Sequence, residues 1–199
     1  MSNTITTPKG IAKYPYVNEP NTRFNPMGEY TCQLVIPEET ALKFKEQLDK
    51  IYEDEYKREC LLKNKKLKKA PNFPLAQDED GDWVLRSKQP AKVESKAGKV
   101  YEFSVKIFDA QGKLCDAKVG SGSSVKLAIE PRAWFTPALG FGITLNLKAV
   151  QVIELVEYGG GGGASSFGFA AEEGYVGEEL KEVLTTDTAA EATDDAFDF

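Results

Sequence analysis

From residue 75 to residue 156 the chain repeats one pattern. Short segments alternate apolar and polar residues, turns separate them, and no helical stretch intervenes. Alternation puts every second side chain on one face of a strand. In "SSVKLAIEPRAWF" (123–135), Val125, Leu127 and Ile129 take the core side and Lys126 points outward. In "FGITLNLKAVQVIELVEY" (141–158), Phe141, Ile143, Leu145, Leu147 and Ala149 share one face, with Val150, Val152 and Val156 on the other. That predicts a later half covered on both sides. "KVYEFSVKIFDAQGKLCD" (99–116) reads as strand, turn and strand, with Tyr101, Phe103, Val105 and Ile107 inward.

Earlier in the chain, "GEYTCQLVIP" (28–37) turns Tyr30, Cys32, Leu34 and Ile36 to one side, and "GIAKYPYVNEP" (10–20) reads as a short strand broken by prolines. Helical periodicity is strong once, over about 38–62. Leu42, Leu48, Ile51, Tyr52 and Tyr56 recur at spacings near three and four, after Pro37 and with Glu38 and Glu39 at the positive end of the helix dipole. Six or seven short strands with one long helix inserted between early ones suit a small barrel better than a βαβ sheet, because helices do not alternate with strands. The fold class expected is mainly β: a small closed or partly closed barrel.

The body, 1–158, ends at a run of five glycines. Residues 159–199 hold ten carboxylates and one lysine, a net charge of −9, while the body carries +3. The "GEELKEVLTT" stretch is too short to hold a helix alone in water, and the rest is disordered by composition. A coil of this length reaches about 35 Å from its root. A basic body with an acidic arm points to a nucleic-acid-binding domain and an interaction tail; a solubilising tail on an unrelated body is the alternative.

There is no histidine, which closes Ser-His-Asp and Cys-His nucleophile chemistry and most transition-metal sites. Cys32, Cys60 and Cys115 form no CxxC pair and read as reduced, half-buried small hydrophobes. "MSNTITTPKG" lacks the layout of a secretory signal and no apolar run can span a bilayer, so a cytoplasmic location, without membrane contact, is expected. "DEDGD" (78–82) groups Asp78, Glu79, Asp80 and Asp82. It could serve a carboxylate-metal nuclease, but it lacks the spacing of a calcium loop and its Asp-Gly suits a hairpin apex. No cofactor is expected.

Unspecific single-strand binding requires cations for phosphates and aromatic faces for bases on one surface. Strand alternation offers four pairs: Tyr14 with Tyr16, Arg86 with Lys88, Lys106 with Phe108, and Arg132 with Trp134. "KNKKLKKA" (63–70) fits a phosphate-contacting loop and a merely solvated helix end equally well.

Taken in order, "FNPMGEYTCQLVIP", the helix after it, "DEDGDWVLRSKQP", "KVGSGSSVKLAIEP", "GITLNLKAVQVIEL" and the terminal "DDAFDF" resemble the single-stranded DNA-binding proteins of short-tailed bacteriophages. The resemblance implies an oligonucleotide/oligosaccharide-binding (OB) barrel with an extra helix, and a role in phage DNA replication and recombination in the cytoplasm of the infected bacterial host. It also implies dimers, and an acidic tail whose C-terminal aromatic contacts replication proteins such as DNA polymerase and helicase-primase. The tail residues concerned are Asp194, Asp195, Phe197, Asp198 and Phe199. Here the tail is joined through five glycines and carries an additional "SSFGF" stretch.

Overall fold

The computed structural model describes residues 4–95 and 97–157. The elements are β1 (Ile5–Thr6), β2 (Gly10–Asn21), β3 (Glu29–Ile36), α1 (Glu38–Leu62), β4 (Leu75–Gln77), β5 (Trp83–Pro90), β6 (Lys92–Glu94), β7 (Val100–Glu102), β8 (Lys106–Phe108), β9 (Ser124–Thr136) and β10 (Gly140–Glu154). Pairing runs β2–β3–β5–β10–β9 and returns from β9 to β2, so the five long strands close a barrel. The β5–β10 pair is parallel and the others are antiparallel. This is the OB barrel, with α1 inserted between its second and third strands.

Inward positions of β3, β5, β9 and β10 fill the barrel with Leu34, Leu85, Leu127, Ile129, Leu145 and Leu147, all fully buried. α1 adds Ala41, Phe44 and Leu48 to this core. Its later turns bring Tyr52 and Tyr56 onto Phe141 and Ile143 in a second cluster. The helix begins after Pro37, whose carbonyl accepts from the N–H groups of Thr40 and Ala41, and Asn64 in a left-handed conformation (φ 48°) follows its end. Leu42, expected on the buried face, is exposed, and Ala41 and Phe44 hold that face instead.

Of the four register shifts in β2 and β10, two change the faces that simple alternation predicts for the residues singled out above. In β2, Lys13 lies opposite Gln33 but Tyr16 lies opposite Thr31, so β2 carries one extra residue there. Ala12 and Val17 are both buried although five positions apart, and the strand runs unbroken through Pro15. In β10, Leu147 faces Ile129 but Ala149 faces Ala128, leaving Lys148 as the extra residue. Val150 and Val152 therefore return to the barrel interior with Leu145 and Leu147. The later half of β10 is not covered on both sides; its second apolar face is the first one, rephased.

The 99–116 segment also departs from expectation. β7 leaves the barrel to pair with β6 in a separate two-stranded ribbon. Tyr101 and Phe103 are exposed there, while Val105 and Ile107 pack into the core as expected.

Candidate nucleic-acid interface

Residues abreast on neighbouring strands share a face. One outward row runs from Tyr16 through Thr31, Lys88 and Asn146 to Glu130. A second joins Lys13, Gln33 and Arg86. Across the β9–β10 ladder Arg132 faces Thr144 and Trp134 faces Gly142. So Arg86, Lys88, Arg132, Trp134 and Tyr16 lie on one continuous outer wall.

That wall is split at one end. β5 and β10 pair directly only where Lys88 meets Asn146. Beyond that point the 68–77 segment wedges between them. The Ala70 N–H donates to the Phe141 carbonyl, the Phe141 N–H to the Lys68 carbonyl (2.7 Å each), and the Arg86 N–H to the Pro74 carbonyl (2.8 Å). The result is a cleft of ≈ 650 Å³ that brings Arg86, Lys88 and Trp134 together with Phe73, Thr31 and Thr144. Trp134 is held by its partner across the ladder: its indole covers Gly142, where a Cβ would lie 2.7 Å from ring atom Cε2. The cleft is lined by a second ring, Phe73, set edge-on to Tyr52 with centroids 5.8 Å apart.

The cations on this wall differ in availability. Lys88 is paired with Glu29 at 3.2 Å, Lys13 with Asp78 at 3.3 Å and Lys148 with Glu130 at 2.9 Å. Arg86 and Arg132 are exposed and make no ion pair among the described residues.

Lys106 and Phe108 stay on one face of β8, as alternation predicts, but line different hollows. Lys126, Gln151 and Phe108 stand abreast across β9, β10 and β8. Lys126 and Phe108 share a hollow of ≈ 250 Å³ with Thr6 and Gln151. Lys106 lies one row away, opposite Ala149, and lines a different hollow with Asn18 and Cys115. Lys126 and Trp134 sit at the two ends of β9, about 26 Å apart along the strand, with the Glu130–Lys148 ion pair between them. Tyr14 leaves the group: it occupies the β2 bulge with φ 49°, its N–H bonded to the Ser121 hydroxyl at 3.1 Å. The alternation that paired it with Tyr16 does not hold there.

The acidic turn is structurally occupied. The Asp78 carboxylate accepts from the N–H groups of Asp80 and Asp82 and from the Lys13 ammonium. Desolvation pushes the Asp78 carboxyl up, but the Asp82 amide, the Lys13 ammonium and the Asp80 amide outweigh it and hold the group below its ordinary range. It stabilises the hairpin, and no cluster of three metal-type ligands forms among the described residues. The tail residues Asp194, Asp195, Phe197, Asp198 and Phe199 lie outside the described residues.

Phe73, Thr31 and Thr144 escaped sequence reasoning. Phe73 sits in "APNFP", a proline-rich connection with no periodicity, and only its lone aromatic between two prolines could have drawn attention.

The profile of a protein family described as "Single-stranded DNA-binding protein, Bacteriophage T7" matches residues 9–155. A single-stranded DNA-binding protein of Escherichia phage T7 is 28% identical, the match covering 76% of this chain and 72% of that protein. Among solved structures, gp2.5, a single-stranded DNA-binding protein encoded by bacteriophage T7, superposes with a TM-score of 0.67. It is 24% identical, and the match covers 89% of this chain and all of that one. The single-stranded DNA-binding protein of bacteriophage Enc34, in complex with single-stranded DNA, superposes with a TM-score of 0.60 at 19% identity, covering 78% of this chain and 89% of that one. The two structural likenesses are likenesses of fold.

Proposed function

Because the chain belongs to the bacteriophage T7 single-stranded DNA-binding protein family, we propose that it binds single-stranded DNA, without sequence preference, on the outer wall formed by β3, β5, β9 and β10. The observation that carries this reading is the cleft that gathers Arg86, Lys88 and Trp134. Arg86 and Arg132, unpaired among the described residues, displace counterions from phosphates. Trp134 and Phe73 offer ring faces to bases, each stacked base contributing about 1–3 kcal/mol. Nothing in such stacking selects a sequence. Lys126 and Phe108 offer a second contact of the same kind farther along β9 and β10. It is a binding protein and not an enzyme.

The finer reading concerns the phage. The chain coats single strands during replication and recombination in the cytoplasm of the infected host. Its acidic segment, 159–199, carrying Asp194, Asp195, Phe197, Asp198 and Phe199, recruits replication proteins such as DNA polymerase and helicase-primase, and two copies associate as a dimer. The opposite charges of body and tail support an additional contest: the tail, at −9, competes with DNA for the +3 body. No helix among the described residues is long and apolar enough to cross a membrane.

A titration with oligo(dT) followed by tryptophan emission tests the central reading. Quenching of Trp134, with affinity falling steeply as salt rises, is expected. Affinity insensitive to salt, or equal affinity for duplex DNA, would overturn it.

A further inference from the structure

The segment after α1, "KNKKLKKA" (63–70), carries positive charge that neither the fold nor the cleft uses. Lys63 lies 3.8 Å from Glu59 and over the Phe135 ring at 5.0 Å. Lys69 is held by Glu53 and by the rings of Tyr52 and Tyr56. Lys65, Lys66 and Lys68 are exposed and make no ion pair among the described residues. A helix C-terminus offers about half a negative charge, and Lys63, the C-cap residue, already occupies that place. Three more ammonium groups within four positions repel one another, so their clustering favours a polyanion that neutralises them together.

The position of the segment is fixed. Lys68 and Ala70 are bonded to both main-chain polar groups of Phe141. Gly140, at φ 99°, packs so closely on the Lys68 carbonyl that any side chain there would overlap it. Three and four residues after Lys68, Pro71 and Asn72 line the cleft that holds Trp134. The rim of the cleft and the basic segment are thus one stretch of chain, and Lys68 lies within about 10 Å of the rim.

We propose that a bound single strand continues past Trp134 across this rim and onto Lys68, Lys66 and Lys65, making the loop after α1 a second phosphate-binding stretch. The proposal rests on the single-stranded DNA reading above and deepens it. The cleft supplies ring stacking, the loop supplies only charge, and the loop lengthens the footprint without adding sequence information.

The test compares the full chain with its Lys65→Gln/Lys66→Gln/Lys68→Gln variant on oligo(dT) of about 6 and about 16 nucleotides, within the range one OB barrel covers. All three side chains are exposed, and a thermal melt matching the wild type establishes the fold. The short probe is expected to bind both proteins within about twofold. The long probe is expected to bind the variant roughly tenfold more weakly, with a salt slope shallower by about 2, the share of three phosphates on a single strand. A Lys50→Gln/Lys57→Gln variant, which removes two exposed helix lysines, is expected to leave both probes unchanged.

Equal salt slopes for variant and wild type on both probes would overturn the proposal while leaving the DNA-binding reading intact. So would equal loss on both probes, which would assign the lysines to the general field of the body. Tighter binding by the variant would overturn it too, because the lysines would then serve the acidic residues 159–199. Failure of the wild type to bind either probe would remove the reading itself.

Discussion

Trp134 and Gly142 are partners across the β9–β10 ladder, and the indole of the first covers the bare backbone of the second. The glycine is what lets a large ring lie on an outer wall instead of standing away from it. Trp134→Ala is expected to weaken oligo(dT) binding by about 1–3 kcal/mol, or about 5- to 150-fold. Gly142→Ala leaves the tryptophan present but displaces it. Its expected signature is an altered Trp134 emission in the free protein with a smaller loss of affinity. Unchanged emission and affinity in Gly142→Ala would contradict the packing described.

Arg86 and Arg132 are the exposed cations of the wall that carry no acidic partner among the described residues. Replacing both with alanine is expected to reduce the salt slope of single-strand binding by about 1.4, at about 0.7 for each phosphate released. Lys88→Ala removes a cation already bridged to Glu29, and a smaller effect is expected. Fluorescence anisotropy across a salt series measures both.

Phe141 joins the barrel to α1, with its ring edge-on to Tyr52 at 5.2 Å and to Tyr56 at 5.4 Å. It is fully buried, so Phe141→Ala is expected to cost about 3–5 kcal/mol in urea unfolding. The loss should include amide protection in the last turns of α1. Intact protection there would mean the second cluster does not hold the helix.

Cys32 lies inside the barrel, where burial pushes its thiol up to about 12. Cys60 and Cys115 are only half-buried. A thiol reagent at pH 8 is expected to modify Cys60 and Cys115 and to spare Cys32 until the protein unfolds. The sign of the linkage follows. The folded state holds this proton more tightly than the unfolded chain, so the contribution is complete below the unfolded value near 9. It is lost as pH rises toward 12, by about 1.4 kcal/mol for each pH unit. Cys32→Ser is expected to flatten that alkaline limb; an unchanged limb would assign it to other groups.

Removal of residues 164–199 is expected to tighten single-strand binding and to abolish capture of a replication polymerase or helicase-primase. Phe199→Ala is expected to keep DNA affinity and lose the capture. If truncation leaves DNA affinity unchanged, the tail does not compete for the wall, and recruitment stands or falls separately.

The strands, the helix over 38–62 and the barrel were legible because alternation and helical periodicity report burial directly. The bulges were not. One extra residue at Lys148 makes Val150 and Val152 look like a second buried face, and one at Tyr14–Pro15 breaks the pairing of Tyr14 with Tyr16. A bulge is set by the partner strand's register, which the sequence of one strand does not contain. The same holds for Tyr101 and Phe103. Their alternation is real, but β7 pairs with β6 outside the barrel, so both faces of the ribbon are exposed. On the wall, Arg86, Lys88, Arg132 and Trp134 were each legible as outward, but their convergence depends on how far β5 and β10 diverge, which a proline-rich wedge decides.

β10 changes parallel neighbours at the Lys148 bulge, pairing with β5 before it and with β8 after it. Each ring-and-cation group of the outer wall therefore has one member on β9, Trp134 toward one end of the strand and Lys126 toward the other. Their separation is a count of peptide units, not the span of a loop. The wall acts as a ruler: warming, salt or loop motion can loosen either mark, but the interval between them stays set for as long as the barrel stays closed.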